Sequence, residues 1–177
     1  MTHPGELSQA NDPELAMALR TAMRRLPSGV MLVTSADDDG TPHGMAASSV
    51  VSVSMDPPSM LVAVNRDASI HPVLARARRF CVNLLGRDQA PLLEPFSRSN
   101  QRHLRFTSGD WKLDPQGIPY LPDAPAAVFC EIELFVDYGT HTICVGRVGQ
   151  VSLSGQTEPL VWLDGRPHRA VPETGPD

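Results

Sequence analysis

Cysteine is scarce in this chain of 177 residues, which has only Cys81, Cys130 and Cys144. Three thiols so widely spaced exclude a disulfide framework and a Cys-x-x-Cys metal site. Each falls in an apolar, strand-like context and reads as a buried thiol. Positive charge is also in deficit: the formal net charge is −5. That balance argues against nucleic acid as the main partner, because affinity for a phosphate backbone requires a basic face. No apolar run approaches the ~18 residues needed to span a bilayer. The opening MTHPGELSQANDPEL lacks the basic and apolar regions of a secretory signal, so a cytoplasmic protein is expected. Walker A, GxGxxG, HExxH and GxSxG patterns are all missing. The six histidines form no close pair at metal spacing, and there is no internal repeat.

What remains is the composition of an ordinary globular domain, 41% hydrophobic and 20% charged. Residues 1–11 are polar and aperiodic and read as a disordered tail, as do residues 172–177. A single domain is expected over 12–171. Asp12-Pro13 supplies an N-cap and a first-turn proline, and Leu15, Leu19, Met23 and Leu26 follow at helical spacing, giving one amphipathic helix that ends near Pro27. From Val30 the period becomes that of strands. Strands are expected over Val30–Thr34, Met45–Met55, Ser59–Asn65, Arg79–Leu85, Ala127–Val136 and His141–Leu153, with Leu160–Leu163 closing the sheet. Short helices are expected around Ile70–Ala77 and Leu92–Phe96, with Pro95 kinking or ending the second. The polar, proline-rich stretch 97–125 is too long for a turn and reads as a loop over a site. About seven strands without βαβ alternation predict a mainly β protein with short helices, an antiparallel barrel rather than a Rossmann sheet.

The densest stretch is Pro42–Ser69, PHGMAASSVVSVSMDPPSMLVAVNRDAS. Between Met45 and Met55 the odd positions are mostly apolar and the even ones mostly small and hydroxylated, as in a strand with one face buried. A rigid Asp56-Pro57-Pro58 turn leads to an apolar strand ending at Asn65-Arg66. Small residues let a flat aromatic ring lie against the backbone, and hydroxyls with a guanidinium can hold its phosphate. Residue pattern alone leaves simpler readings open. The serines suit the wet face of a strand, Arg66 suits a surface cation, and His141, after Gly139-Thr140, suits a turn histidine as well as a pocket rim.

In order and spacing these segments resemble the flavin reductase family with the FMN-binding split-barrel fold, the small reductase components of two-component flavin monooxygenases. The resemblance runs from about Leu19 to Ala170. It rests on Leu26-Pro27-Ser28-Gly29-Val30, His43-Gly44-Met45-Ala46-Ala47-Ser48-Ser49, Ser52-Val53-Ser54-Met55-Asp56-Pro57-Pro58, Asn65-Arg66-Asp67-Ala68-Ser69, Arg79-Phe80-Cys81-Val82-Asn83-Leu84, and Gly139-Thr140-His141-Thr142 before Gly146-Arg147-Val148. It implies that Met45, Ala46, Ala47, Ser48 and Ser49 line the flavin ring and ribityl chain. Val64, Asn65, Arg66, Ser69 and Ile70 would surround the phosphate, and His141 would sit where the nicotinamide approaches. It also implies FMN or FAD as the flavin, NADH or NADPH as hydride donor, a homodimer whose pockets are completed by the partner, and a separate monooxygenase that receives reduced flavin by diffusion. The family often has Asn or Thr where this chain has Ser48. Where many members end in an aromatic-His pair, this chain has Pro167-His168, which removes a ring and a donor. The alternatives are a flavin-binding carrier or sensor without reductase activity, and a flavin-dependent reductase of another acceptor such as a cobalamin.

Overall fold

Asp12 caps the first helix as expected: its carboxylate accepts from the amides of Glu14 and Leu15, at 2.9 and 3.1 Å. The structure is a computed structural model that describes residues 12–155 and 158–171. The two tails expected at 1–11 and 172–177 lie outside the described residues. Helix α1 (Pro13–Met23) buries none of its side chains, and Leu15, Met17, Leu19 and Met23 are all more than half exposed.

The strands follow in chain order as β1 (Ser28–Gly29), β2 (Met31–Ala36), β3 (Pro42–Ala47), β4 (Val50–Met55), β5 (Pro58–Asn65), β6 (Arg79–Leu84), β7 (Lys112–Leu113), β8 (Pro119–Tyr120), β9 (Ala126–Tyr138), β10 (His141–Leu153), β11 (Leu160–Leu163) and β12 (Arg166–Arg169). Helix α2 (His71–Ala77) links β5 to β6, and α3 (Leu93–Ser97) follows a 3₁₀ helix at Arg87–Leu92. Pro95 falls in the first turn of α3, where the missing N–H has no intrahelical partner to lose.

Seven strands form one sheet in the order β3-β2-β6-β9-β10-β5-β4, every neighbour antiparallel. Its two edge strands, β3 and β4, are consecutive in the chain and separated only by Ser48-Ser49. The sheet must therefore roll until its edges meet at that corner. Since β3 and β4 do not pair, the barrel stays open there. Inside it pack Val33, Val62, Val64, Ile70, Leu74, Phe80 and Val82, all fully buried, with Cys130 and Cys144 among them. All three cysteines are free and buried, as read from their contexts.

Two expectations need correction. Met45–Met55 is not one strand with an apolar face. The Ser48-Ser49 corner resets the alternation, so Val50 is buried while Val51, Val53 and Met55 are 56%, 51% and 76% exposed. A second irregularity falls between Ser52 and Ser54. Likewise β11 does not close the sheet. It pairs with β1 and β12 in a separate three-stranded sheet, with Leu160 buried under the far side of β2 beside Val30, Leu32, Leu93 and Leu121.

Candidate flavin site

The open seam becomes a cavity where the small side chains of Ala46 to Ser49 and Ala63 border it. Its volume is about 460 Å³, within the range common for small-molecule sites. One wall is the end of β3 and the corner, Met45 to Ser49; the opposite wall is Ala63 and Asn65 of β5, with Asp67 to Ile70 beyond them. The corner is pinned across the split: the Ser49 hydroxyl donates to the Ala63 carbonyl at 3.0 Å, and the Ala63 amide donates to the Ser49 carbonyl at 3.2 Å. His141 closes one end, being the first residue of β10 and directly opposite Asn65.

That end is held by a second set of bonds. The Thr140 hydroxyl lies 2.9 Å from His141 Nδ1. With that hydroxyl donating, the ring proton sits on Nε2, which is then a donor for a ligand. One residue on, the buried Thr142 hydroxyl donates to Asp137 and accepts from His71 Nε2 at 2.9 Å. The first residue of α2 is thereby tied to the β9–β10 hairpin, and Ser69 and Ile70 just before it are fixed in place.

Further lining comes from the stretch expected to lie over a site. Residues 97–125 contain a 3₁₀ helix at Ser99–Leu104 and the β7–β8 hairpin. Phe96 and Phe106 meet edge to face at 5.0 Å between ring centroids and, with Trp111, pack this segment onto the barrel. Phe96, Ser97, Ser99, Arg102 and Arg105 reach the cavity. The Arg105 guanidinium is consumed by carbonyls, donating to Gly44, Pro95 and Phe96 at 2.7, 2.9 and 3.4 Å. Burial, followed by the nearby Arg102 charge, pulls its pKa below the ordinary value. Gly44 is required at this junction, since a Cβ there would stand 2.6 Å from the Phe96 ring. Arg102 has no ion-pair partner among the described residues and is the cation left for a ligand.

Nine of the eleven residues singled out from sequence therefore line one cavity: Met45, Ala46, Ala47, Ser48 and Ser49 with Asn65, Ser69, Ile70 and His141. Two do not. Val64 points into the barrel core, because alternation along β5 turns it away from Ala63 and Asn65. Arg66 turns its guanidinium to the Gly139 carbonyl, and its amide donates to the Thr140 carbonyl at 3.0 Å. It fastens the turn that presents His141 rather than facing the cavity. Arg102 and Arg105 were not singled out, and the only trace of them in sequence is three arginines within residues 98–105 of an acidic chain.

A sequence profile described as "Flavin reductase like domain" matches residues 23–170. The chain belongs to the flavin reductase family. It is 39% identical over 154 residues to the reductase component of an FADH(2)-dependent resorcinol hydroxylase from Rhizobium sp. strain MTP-10005, covering 86% of each chain. It is 38% identical to the NADH-dependent FMN reductase RutF of Cronobacter sakazakii, covering 85% of this chain and 90% of that one. The structure of the NADH:FAD oxidoreductase SgcE6 of Streptomyces globisporus C-1027, in complex with NAD and FAD fragments, superposes with a TM-score of 0.81 at 31% identity. That match covers 92% of this chain and 97% of the other. The fold is thus the split barrel that the family resemblance implied. Among the described residues no helix is long and apolar enough to cross a membrane.

Proposed function

We propose that this flavin reductase binds FMN or FAD in the seam cavity, reduces it with NADH or NADPH, and releases it to a separate flavin-dependent oxygenase. The single observation that carries the reading is the makeup of the seam: a cavity of about 460 Å³ walled by Ala46, Ala47, Ser48, Ser49 and Ala63, and lined also by His141 and by Arg102, which has no ion-pair partner among the described residues. These residues fit a flavin. Methyl and hydroxymethyl side chains leave room for a flat ring against the backbone, and a free guanidinium with hydroxyl neighbours suits its phosphate. A bound flavin would supply the redox chemistry, as acceptor of a hydride from the nicotinamide.

The chain's own residues do simpler work. The Ser48-Ser49 corner, pinned to Ala63, keeps the two walls at a fixed separation. Asn65 and Ser69 offer neutral hydrogen-bond partners, Ile70 packs beneath them, and Arg102 supplies the counter-charge. His141 Nε2 offers a donor at the rim for the carboxamide of the incoming nicotinamide. Asp67 and His141 both line the seam, and no hydrogen bond links them among the described residues; hydride transfer needs positioning and exclusion of water more than proton transfer.

A homodimer is part of the same proposal. Val51, Val53 and Met55 of β4 and Leu134, Val136 and Tyr138 of β9 are exposed apolar residues of the seven-stranded sheet. A second copy of the chain is the occupant assigned to that surface, next to the corner that borders the cavity.

The activity is tested by mixing purified protein with NADH or NADPH and either FMN or FAD, and following the nicotinamide absorbance. Flavin-dependent oxidation well above the rate with free flavin is expected; none with either donor would contradict the reading.

A further inference from the structure

Beyond the seam, the Ala46–Ser48 segment borders a second cavity. This annex, about 200 Å³, shares Ala46, Ala47, Ser48 and Ser97 with the main cavity and is otherwise walled by Val30, Leu93 and Trp162. Both spaces are thus bordered by the same short stretch at the end of β3 and by one serine of α3. The annex has no ionisable side chain in its walls, so it is not built for phosphate. Its one large feature is the Trp162 indole on β11. This ring is only partly buried, and its N–H has no acceptor among the described residues. Ser97, which lines both spaces, stands just before Ser99 and Arg102, which line the main cavity.

We propose that the annex is a purine subsite: it takes the adenine of a dinucleotide whose flavin or nicotinamide end occupies the seam, with Trp162 as the stacking surface. Size and polarity favour this occupant. A space of about 200 Å³ with an aromatic wall and two serine hydroxyls accommodates one flat heterocycle, and base–aromatic stacking needs only a free ring face. The pyrophosphate joining the halves of the dinucleotide then passes Ser97 toward Ser99 and Arg102, where it finds charge. The inference rests on the seam being the flavin site. It adds that Trp162 separates ligands that carry adenine from those that do not. FAD and NADH both carry it; FMN and reduced nicotinamide mononucleotide do not.

The test compares wild type with Trp162→Leu and Trp162→Phe, using FMN and FAD titrations, then NADH and reduced nicotinamide mononucleotide as donors with FMN. If the adenine belongs to FAD, Trp162→Leu raises the FAD dissociation constant about tenfold and leaves that of FMN unchanged. If it belongs to the nicotinamide cofactor, Trp162→Leu raises KM for NADH but not for the mononucleotide. Either result supports the subsite, and Trp162→Phe should restore most of the loss. Because Phe keeps an aromatic ring in the small sheet, it remains informative should Leu fail to fold. Equal losses with and without adenine, or no change with any ligand, overturn the proposal. Wild-type protein that binds neither flavin overturns the seam reading itself, and the annex with it.

Discussion

Arg105 and Gly44, 61 positions apart, are joined by a 2.7 Å hydrogen bond from the guanidinium Nη1 to the glycine carbonyl. Through it the proline-rich segment is fastened to β3, the strand that leads into the seam corner. Two further carbonyls of α3 share the same side chain. Bonds from a charged donor are worth about 1.5–3 kcal/mol each at most, and unpaired carbonyls left behind add a cost. Arg105→Ala should therefore lower stability by about 2 kcal/mol and weaken flavin binding. Urea unfolding and an FMN titration measure both, and an unchanged midpoint would show that the segment is held by its aromatic residues alone.

Arg66 and Arg102 exchange the roles that residue type alone would give them. Arg66 holds the Gly139–Thr140 turn beneath His141, whereas Arg102 lines the cavity. Arg102→Ala should raise the flavin dissociation constant about tenfold, as expected for losing one charge-assisted bond. Arg66→Ala should leave flavin affinity nearly unchanged and raise KM for the nicotinamide substrate. The reverse pattern, read from flavin titrations and steady-state kinetics, would place the phosphate at Arg66.

The thiols give a pH dependence with a defined sign. Burial pushes Cys130 up to about 12; burial, then the Asp137 charge, pushes Cys144 up to about 11; burial raises Cys81 as well. Each is raised above its unfolded value of about 8.5. The associated stability is therefore complete below that pH and is lost as pH rises toward 11 and 12. Native protein at pH 8 should resist thiol reagents until urea is added, and the urea midpoint should fall between about pH 8.5 and 11. Rapid labelling of folded protein would contradict the burial of these groups.

The outer faces of β4 and β9 predict the oligomeric state. Val53 is half exposed on β4, between the exposed Val51 and Met55. Val53→Glu places a charge there without touching the core or the cavity. Sedimentation should show a dimer for wild type and a shift toward monomer for the variant. A wild-type monomer at micromolar concentration would remove the second copy from the account.

Much of this was legible because apolar period reports directly on burial. β2, β5, β6, β9 and β10 were expected within a residue or two of where they lie, and the Asp56-Pro57 turn does join β4 to β5. The seam corner was not visible. Ser48 and Ser49 fit strand positions as well as a corner, and only pairing of β4 with β5 shows the alternation to be reset. Arg102 and Arg105 were hidden for a different reason. Their segment has no periodicity, and its approach to the cavity depends on Phe96, Phe106 and Trp111 meeting a barrel formed by distant strands. Placement of Arg66 depended on the β9–β10 turn, more than seventy positions along the chain.

The most direct measurement is a crystal structure of the protein grown with FMN. The account predicts density for the ring system between the Ala46–Ser49 corner and Ala63, with the phosphate in reach of Arg102 and the His141 side of the ring open. A ring bound elsewhere, or a seam filled by the chain's own side chains while FMN is bound in solution, would contradict it.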